Sequence, residues 1–219
     1  MPPLRLAHRG DWRVARENTI EALVAATGQH HCDGVEFDVR MSSDGVPVLA
    51  HDETLERVWG RPEAVRALRA DALEDVGLPA LSDVLAALPR AAFLDVELKV
   101  DAGRAVVEVL AAGRGAELRG TVISSFDPAT LEHIGGLAPG WPRWLNTRSL
   151  DEGTIATAVE LDCRGISVEW HAIDEAGMRR ARAADLDVAA WTVRRRPTHR
   201  RLARLGLIAI CAEAAALDG

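Results

Sequence analysis

Glu36 and Asp38 are separated by one residue inside the apolar segment Gly34-Val-Glu-Phe-Asp-Val39. In a β-strand this spacing puts both carboxylates on one face and the apolar side chains on the other. Two carboxylates held together away from water repel each other and lose hydration unless a cation joins them. Hard oxygen ligands of this kind suit Mg²⁺ or Ca²⁺. The segment therefore predicts a divalent-cation site, and surface exposure of the two acids is the alternative.

A second segment, Leu94-Asp-Val-Glu-Leu-Lys-Val100, has the same alternation. Asp95, Glu97 and Lys99 share one strand face, so Glu97 can complete a three-carboxylate site with the first two acids. Lys99 lies one step nearer the end of the strand, where an ammonium group can meet a phosphate. It is the only lysine among 26 basic residues, which favours a role for this position in a site. A structural ion pair between Asp95 and Lys99 is the alternative.

The residues Asp44-Gly45 are a signal for a two-residue β-hairpin turn. If they make the turn, residue 43 pairs with residue 46, and this register sets His51 directly opposite Asp38. The hairpin would then return an imidazole to the acidic cluster. The inference depends on the register, because a shift of one residue would point His51 away.

His8 and Arg9 follow the first predicted strand. In a parallel α/β barrel the C-terminal ends of the strands line the mouth of the active site, so both side chains can face the acids there. A buried His–Arg pair with a purely structural role is the alternative. Glu17, Asn18 and Thr19 open the first predicted helix, where Asn18 can cap the helix and Glu17 can reach back toward the loop. Helix capping is the alternative for all three.

Short apolar segments alternate with helical periodicity along the chain, which is typical of βαβ units and a mostly parallel sheet. One strand is set aside as a hairpin return, and eight remain at about 27 residues per unit. We therefore predict an α/β fold, a (β/α)₈ TIM barrel with a β-hairpin extension after the second strand. A doubly wound open sheet ranks second, because no GxGxxG motif follows the first strand. The predicted barrel strands are residues 4–7, 34–39, 92–98, 121–125, 141–145, 165–168, 188–193 and 207–211, the hairpin return is 46–50, and the predicted helices are 19–27, 81–88, 103–112, 128–134, 151–160, 174–184 and 197–205.

The length of 219 residues predicts a single domain over residues 1–219. The net charge of −7 and the sequence pI near 5.5 argue against nucleic acid or a membrane surface as a partner. The basic segment 194–204 is interpreted as a solvated loop and helix face, since it has no interleaved aromatic residues. Three widely spaced cysteines disfavour a disulfide framework or a zinc site. The first residues have no secretion signal, so we expect a cytoplasmic protein without stable membrane association.

The ordered set of motifs in this chain resembles the glycerophosphodiester phosphodiesterase family, which belongs with the phosphatidylinositol-specific phospholipase C-like barrels. Each motif is weak alone, but their order along almost the whole chain is specific. The segments that carry the resemblance are His8-Arg-Gly10, Glu17-Asn-Thr19, Glu36-Phe-Asp38, Asp44-Gly-Val-Pro-Val-Leu-Ala-His-Asp52, Glu97-Leu-Lys99, Ser124-Ser-Phe126 and Trp191-Thr-Val193.

The resemblance implies a metal-dependent enzyme that hydrolyses a small-molecule glycerophosphodiester to sn-glycerol 3-phosphate and an alcohol. It implies one divalent cation, Mg²⁺ or Ca²⁺, with general acid and base catalysis by two histidines. The implied roles are metal binding by Glu36, Asp38 and Glu97, proton transfer by His8 and His51, phosphate binding by Arg9 and Lys99, support of the site by Glu17, and a pocket wall formed by Trp191.

Two departures from the family pattern affect the expected substrate preference more than the expected activity. Arg194 follows Trp191-Thr-Val193 where the family commonly has asparagine, and the last strand ends in Ile210-Cys-Ala-Glu213 rather than an Ile-Thr-Asp-like sequence. Two other functions remain open from sequence. One is phospholipase D-like action on a lipid headgroup, and the other is a non-catalytic phosphate-binding barrel.

Overall fold

The computed structural model describes residues 2–219, and its strands alternate with helices along the chain. The longest helix has 12 residues, and no helix within residues 2–219 has the length and apolar character that crossing a membrane requires. The strands are β1 (Leu4–His8), β2 (Gly34–Met41), β3 (Pro47–Leu49), β4 (Phe93–Leu98), β5 (Thr121–Ser125), β6 (Arg143–Thr147), β7 (Gly165–Glu169), β8 (Asp187–Val193) and β9 (Ala209–Ala212). The helices are α1 (Ile20–Thr27), α2 (Glu56–Trp59), α3 (Ala70–Val76), α4 (Leu81–Ala87), α5 (Gly103–Arg114), α6 (Pro128–Leu137), α7 (Glu152–Glu160), α8 (Glu175–Ala183) and α9 (Arg196–Ala203), with short 3₁₀ turns at Val65–Ala67, Trp170–Ala172 and Ala214–Ala216.

Eight of the described strands form a closed parallel barrel. The hydrogen-bonded order is β1-β9-β8-β7-β6-β5-β4-β2, and a parallel pairing between β1 and β2 closes the ring. The remaining strand, β3, pairs antiparallel with the C-terminal part of β2 and lies outside the ring. The predicted TIM barrel with a hairpin after the second strand is therefore confirmed.

Alternation of side chains along the strands divides the buried residues into an inner and an outer set. The outward-facing residues, such as Phe37 and Leu94, pack under the helices in the largest apolar cluster. The inward-facing residues close the floor of the barrel with a smaller cluster. This floor consists of Leu6, Val122, Trp144, Ala189, Ala209 and Cys211. Because the floor is filled, the open space of the barrel lies at the C-terminal ends of the strands.

Residues 56–76 form helices α2 and α3 and a 3₁₀ turn that the sequence did not predict. Helix α2 has four residues, neither helix has a side-chain N-cap, and both end at glycines in the left-handed conformation. Such short helices have little periodicity and are stabilised by packing rather than by local signals. Leu55, Val65 and Leu73 are buried here in a separate small core beside the hairpin.

Strand β6 begins two residues later than predicted, at Arg143 rather than at residue 141. The reason is that Trp141 anchors the preceding loop, where its indole Nε1 donates to the carbonyl of Ala116 at 2.7 Å. The shift moves Asn146 from a predicted loop into the strand.

The register of the hairpin differs by one residue from the prediction. The observed pairs are Val39 with Leu49 and Met41 with Pro47, so the loop has three residues rather than two. The Gly45 N–H donates to the Ser42 carbonyl, and Gly45 takes a φ of 79°, as expected of a type I turn followed by a left-handed glycine. This register sets Asp38 opposite residue 50 and not opposite His51.

The turn after β1 requires glycine at position 10. Gly10 has a φ of 84°, and a Cβ atom placed on it would lie 2.6 Å from the backbone carbon of Ala22 in α1. This close approach lets the loop that carries Arg9 pack directly against the helix, and the Asp11 N–H donates to the Ala22 carbonyl at 2.9 Å.

We expect Gly10→Ala to lower the free energy of unfolding by roughly 3 kcal/mol or more, because left-handed strain and a backbone clash add together. Urea denaturation of the purified variant measures the change. Gly45→Ala is the matched control, since Gly45 has a similar φ of 79° but nothing within 4 Å of the added atom. The control should cost only about 1 kcal/mol. Equal losses in the two variants would contradict the role assigned to the close approach.

Candidate active site at the C-terminal end of the barrel

A cavity of about 240 Å³ opens at the C-terminal ends of the strands. Seven of the nine predicted site residues line it, while Asp38 is fully buried beside Glu97 and Glu17 contacts Arg9 from behind. A larger cavity of about 380 Å³ lies at the opposite end of the barrel and contains none of the predicted site residues. The residues that line the first cavity are His8, Arg9, Glu36, His51, Asp95, Glu97, Lys99, Phe126, Asn146, Arg148, Ser167, Trp191, Thr192, Arg194 and Cys211.

Three carboxylates converge at the base of the cavity. Glu36, Asp38 and Glu97 each offer an oxygen within 4.8 Å of the others, and all three side chains are buried. Burial raises the pKa of Glu36 well above its ordinary value, and the charges of Asp38 and Glu97 raise it further. Burial likewise raises the pKa of Glu97. The parallel pairing of Asp38 with Glu97 across β2 and β4 is what brings these groups together.

Lys99 and Arg9 supply the positive charge nearest to these acids. Lys99 Nζ contacts Glu97 and lies 3.0 Å from Asp38 Oδ1, and Arg9 Nε lies 3.0 Å from Asp38 Oδ2. Burial acts to raise the pKa of Asp38, but the two cations outweigh it and lower that pKa to about 2. Burial acts to lower the pKa of Lys99, and Asp38 and Glu97 outweigh it. Asp38 is therefore ionised and held between two cations.

Asn18 orients Asp38 and is not the cap of the first helix. Its Nδ2 donates to Asp38 Oδ2 at 2.8 Å, and its Oδ1 accepts from the Asp38 backbone N–H at 3.1 Å. Thr19 caps α1 by accepting from the Ala22 N–H. The capping interpretation thus holds for Thr19 alone.

A chain of hydrogen bonds joins Arg9 to His51 along the rim. Arg9 Nη1 donates to Glu17 at 2.9 Å, Arg57 Nη2 donates to Glu17 at 2.6 Å, and Arg57 Nε donates to Asp52 at 2.6 Å. Asp52 Oδ1 lies 2.6 Å from His51 Nδ1. Burial acts to raise the pKa of Asp52, but its bonds with Arg57 and His51 outweigh it and lower that pKa. Arg57 of helix α2 is thus the central cation of this series of hydrogen bonds.

His51 faces the cavity although the hairpin register is not the predicted one. Strand β3 ends at Leu49, and the chain bends at residues 51–53, so the side chain no longer follows the alternation of the ladder. Arg40 Nε holds this bend by donating to the His51 carbonyl at 2.9 Å. Burial lowers the pKa of His51, which favours the neutral imidazole at neutral pH.

His8 is held from the last strand of the barrel. Its Nδ1 lies 2.5 Å from Glu213 Oε1, and its Nε2 lies 3.8 Å from Glu36 Oε2. Arg194 Nε donates to the other oxygen of Glu213 at 2.7 Å. Burial acts to raise the pKa of Glu213, but these two partners outweigh it and lower that pKa. The two departures from the family pattern, Arg194 and Glu213, are therefore contact partners beside His8.

One wall of the cavity is aromatic. Trp191 and Phe126 pack edge to face with their ring centroids 5.4 Å apart, and the Trp191 indole Nε1 donates to the Ser167 carbonyl at 3.0 Å. The guanidinium carbon of Arg148 lies 5.6 Å from the Phe126 centroid and 6.0 Å from that of Trp191. Trp191 thus forms part of the cavity wall.

Asp95 does not form the alternative ion pair with Lys99. It accepts a hydrogen bond from Ser124 Oγ at 2.6 Å, and burial raises its pKa to about 7. Ser124 in turn accepts from Asn146 Nδ2 at 3.3 Å. These residues form a polar layer directly above the barrel floor.

Sequence reasoning missed several residues that contact the predicted set. Asp52 and Glu213 hold the two imidazoles, and Arg57 links Asp52 to Glu17. Asp52 had a sequence signal, since it follows His51 directly. Glu213 and Arg57 had none, because the contact of Glu213 with His8 spans 205 residues of sequence and that of Arg57 with Glu17 spans 40. The nine predicted residues nevertheless gather around a single cavity.

Comparison with known proteins identifies the same family as the sequence motifs. Residues 8–216 match the profile of the glycerophosphoryl diester phosphodiesterase family. A rat protein named glycerophosphodiester phosphodiesterase 1 is 48% identical over 52 residues, which are 24% of this chain and 15% of the rat protein. The aligned segments thus span only a minor part of the curated relatives.

Solved structures resemble the chain over nearly its full length. A phosphodiesterase from Oleispira antarctica, solved in complex with the product sn-glycerol-3-phosphate, is 26% identical with a TM-score of 0.86, and the match covers 96% of this chain and 93% of that one. A glycerophosphodiester phosphodiesterase from Agrobacterium tumefaciens is 26% identical with a TM-score of 0.81, covering 99% and 98% of the two chains. By fold, site and profile, the chain belongs to the glycerophosphoryl diester phosphodiesterase family.

Proposed function

We propose that this protein hydrolyses glycerophosphodiesters to sn-glycerol 3-phosphate and an alcohol, with the aid of a divalent cation. The observation that carries the proposal is the placement, around one cavity, of three buried carboxylates, two cationic side chains and two carboxylate-backed imidazoles. Family membership supports the same reaction. A phosphodiester anion needs positive charge to stabilise its phosphoryl oxygens and groups that transfer protons, and this cavity supplies both. A neutral or cationic substrate does not need this combination.

The acidic cluster fits a divalent cation. Glu36 Oε1 and Asp38 Oδ1 are buried and have no hydrogen-bond partner in residues 2–219, although Lys99 lies near the second of them. Mg²⁺ or Ca²⁺ bound by Glu36, Asp38 and Glu97 would stabilise negative charge on the phosphoryl oxygens. Without a cation, these acids and Asp95 exceed the two neighbouring cations in charge unless some of them are protonated.

Arg9 and Lys99 are proposed to bind the phosphate. Both line the cavity and both are already ion-paired with Asp38, so their head groups are fixed before a ligand arrives. Preorganised cations stabilise charge that grows on the phosphoryl oxygens during transfer, without having to reorganise at that moment. Glu17 supports this arrangement by holding Arg9 from behind.

His8 and His51 are proposed to exchange protons with the nucleophile and the leaving alkoxide. Each imidazole has a carboxylate at Nδ1, Glu213 for His8 and Asp52 for His51. A carboxylate at this nitrogen favours a proton on Nδ1 and leaves Nε2 available to accept or donate a proton. Either histidine can act as the base and the other as the acid.

Chelation should abolish turnover of glycerophosphocholine, because the acidic cluster loses the cation that completes it. Glu36→Gln should weaken binding of Mg²⁺ or Ca²⁺ by at least tenfold in calorimetry. The same variant should melt at a higher temperature than the metal-free wild type, since it removes a buried charge whose pKa is raised.

Glu63→Gln is the matched control, because Glu63 is partly exposed and its carboxylate pairs with Arg61. It should leave cation affinity and turnover unchanged. Full turnover of the wild type in excess chelator would refute the assignment of the metal.

Replacing either proposed proton-transfer residue should strongly reduce kcat/KM. His8→Ala and His51→Ala should each lower kcat/KM by roughly 10²–10⁴-fold, the usual range for one positioned proton transfer. The double variant should lose much less than the product of the two losses, because the histidines serve one reaction. Steady-state kinetics on all three variants tests this.

His133→Ala is the matched control, because His133 Nδ1 also has a carboxylate partner, Asp101 at 2.7 Å, but lies outside the cavity. Its kinetics should equal those of the wild type. Near-normal turnover of either single variant at His8 or His51 would remove that residue from the mechanism.

Lys99→Arg should fold and bind the cation, yet lose at least tenfold in kcat/KM. The compact ammonium of Lys99 fits between Asp38 and Glu97, whereas a guanidinium is broad, planar and differently spaced in its donors. Lys99→Ala should lose at least as much, because the phosphate loses a cation. Arg61→Lys, at an exposed pair, is the reverse exchange and should have no effect. Wild-type kinetics in Lys99→Arg would show that any positive charge suffices there.

A further inference from the structure

Asn146 has a buried acceptor that nothing in the described part of the protein satisfies. The side chain is 6% exposed, lies on β6 and lines the cavity. Its Oδ1 atom is buried and has no hydrogen-bond partner within residues 2–219. Leaving such an oxygen unpaired is costly, so a buried amide of this kind normally has a partner.

The neighbours of Asn146 contact the amino end of its amide. Ser124 Oγ donates to Asp95 Oδ1 at 2.6 Å, and with its proton engaged there it accepts from Asn146. The Asn146 group that meets Ser124 at 3.3 Å is the Nδ2 donor. This leaves Oδ1, and not the amino group, on the side away from Ser124.

The indole donor of the cavity wall, Trp191 Nε1, is already engaged. The Trp191 indole Nε1 donates to the Ser167 carbonyl, and Ser167 is the residue beside Asn146 in the register of β6 and β7. Below Asn146 on the same strand face is Trp144, which belongs to the apolar floor and has no donor bonded to Asn146. No donor within residues 2–219 is bonded to Oδ1, so a molecule in the cavity can supply one.

We infer that Asn146 Oδ1 accepts a hydrogen bond from a hydroxyl group at the glycerol end of the substrate. The inference rests on the proposed function and adds a residue that recognises the glycerol part of the substrate. A phosphate or ester oxygen has no proton to donate, and a quaternary ammonium has no N–H, so neither satisfies this oxygen. A glycerol hydroxyl does, and the small glycerol end fits the inner part of a cavity of about 240 Å³.

The experiment compares equilibrium binding of sn-glycerol 3-phosphate with that of propyl phosphate, which has the same phosphate and carbon chain but no hydroxyl groups. Calorimetry is done with saturating Mg²⁺ in every case. The wild type should bind the glycerol compound about tenfold more tightly, and Asn146→Leu should reduce that preference to about twofold or less. The affinity for propyl phosphate should change little.

Thr147→Val is the matched control, because Thr147 is on the same strand with the opposite side-chain direction and does not line the cavity. It should keep the tenfold preference. Asn146→Ala provides a second variant if the leucine disturbs folding, and melting temperatures identify that case. A wild type without preference, or an Asn146 variant that retains it, would overturn the inference.

The two proposals fail in different ways. Absence of glycerophosphocholine turnover would refute the proposed function but would leave the binding preference measurable. Normal turnover with no loss of preference in both Asn146 variants would refute the role of Asn146 alone.

Discussion

The burial of four carboxylates at one end of the barrel is the constraint on which the rest of the site depends. Glu36, Asp38, Asp95 and Glu97 are all less than 10% exposed, and they lie on neighbouring parallel strands. Their mutual repulsion and lost hydration oppose ionisation, and the raised pKa values of Glu36, Asp95 and Glu97 express this cost. Asp38 differs because Arg9, Lys99 and Asn18 all contact it. A fold that keeps these acids together is prepared for a cation and for an anionic ligand beyond it.

Outside this cluster, hydrogen bonds hold the two imidazoles in place by linking them to distant parts of the chain. The segment 52–57 after the hairpin ties His51 to Glu17 and Arg9 through Asp52 and Arg57. The end of the last strand ties His8 to Glu213 and Arg194. Each imidazole is therefore oriented by a carboxylate whose own second oxygen is held by an arginine. This arrangement limits the freedom of both rings before any substrate binds.

Polarity changes in layers along the barrel axis. Apolar side chains fill the floor, the layer of Asp95, Ser124 and Asn146 lies directly above it, and the charged mouth follows. In barrels of this kind, the inward-pointing side chains of alternate strands stack in layers. In this middle layer Asn146 is bonded to Ser124 through Nδ2, and its Oδ1 is the acceptor that we assign to a glycerol hydroxyl group.

The sequence by itself determined the alternation of strands and helices and the family resemblance. It also determined that Glu36 shares a strand face with Asp38, and Glu97 with Lys99. These depend on spacing within a few residues, and strand periodicity converts such spacing directly into a shared face. The partners of His8 were decided only in three dimensions, because Glu213 lies 205 residues away along the chain.

The hairpin shows the same division between local pattern and tertiary structure, over a short stretch of chain. The Asp44-Gly45 signal predicted a turn correctly, but the turn has three residues, and the side-chain direction of His51 depends on a bend after Leu49. Helices α2 and α3 were not predicted, since their stability comes from a small local core and not from periodicity. Local pattern thus determined which side chains share a strand face, whereas the tertiary packing decided which hydrogen-bond partners hold them.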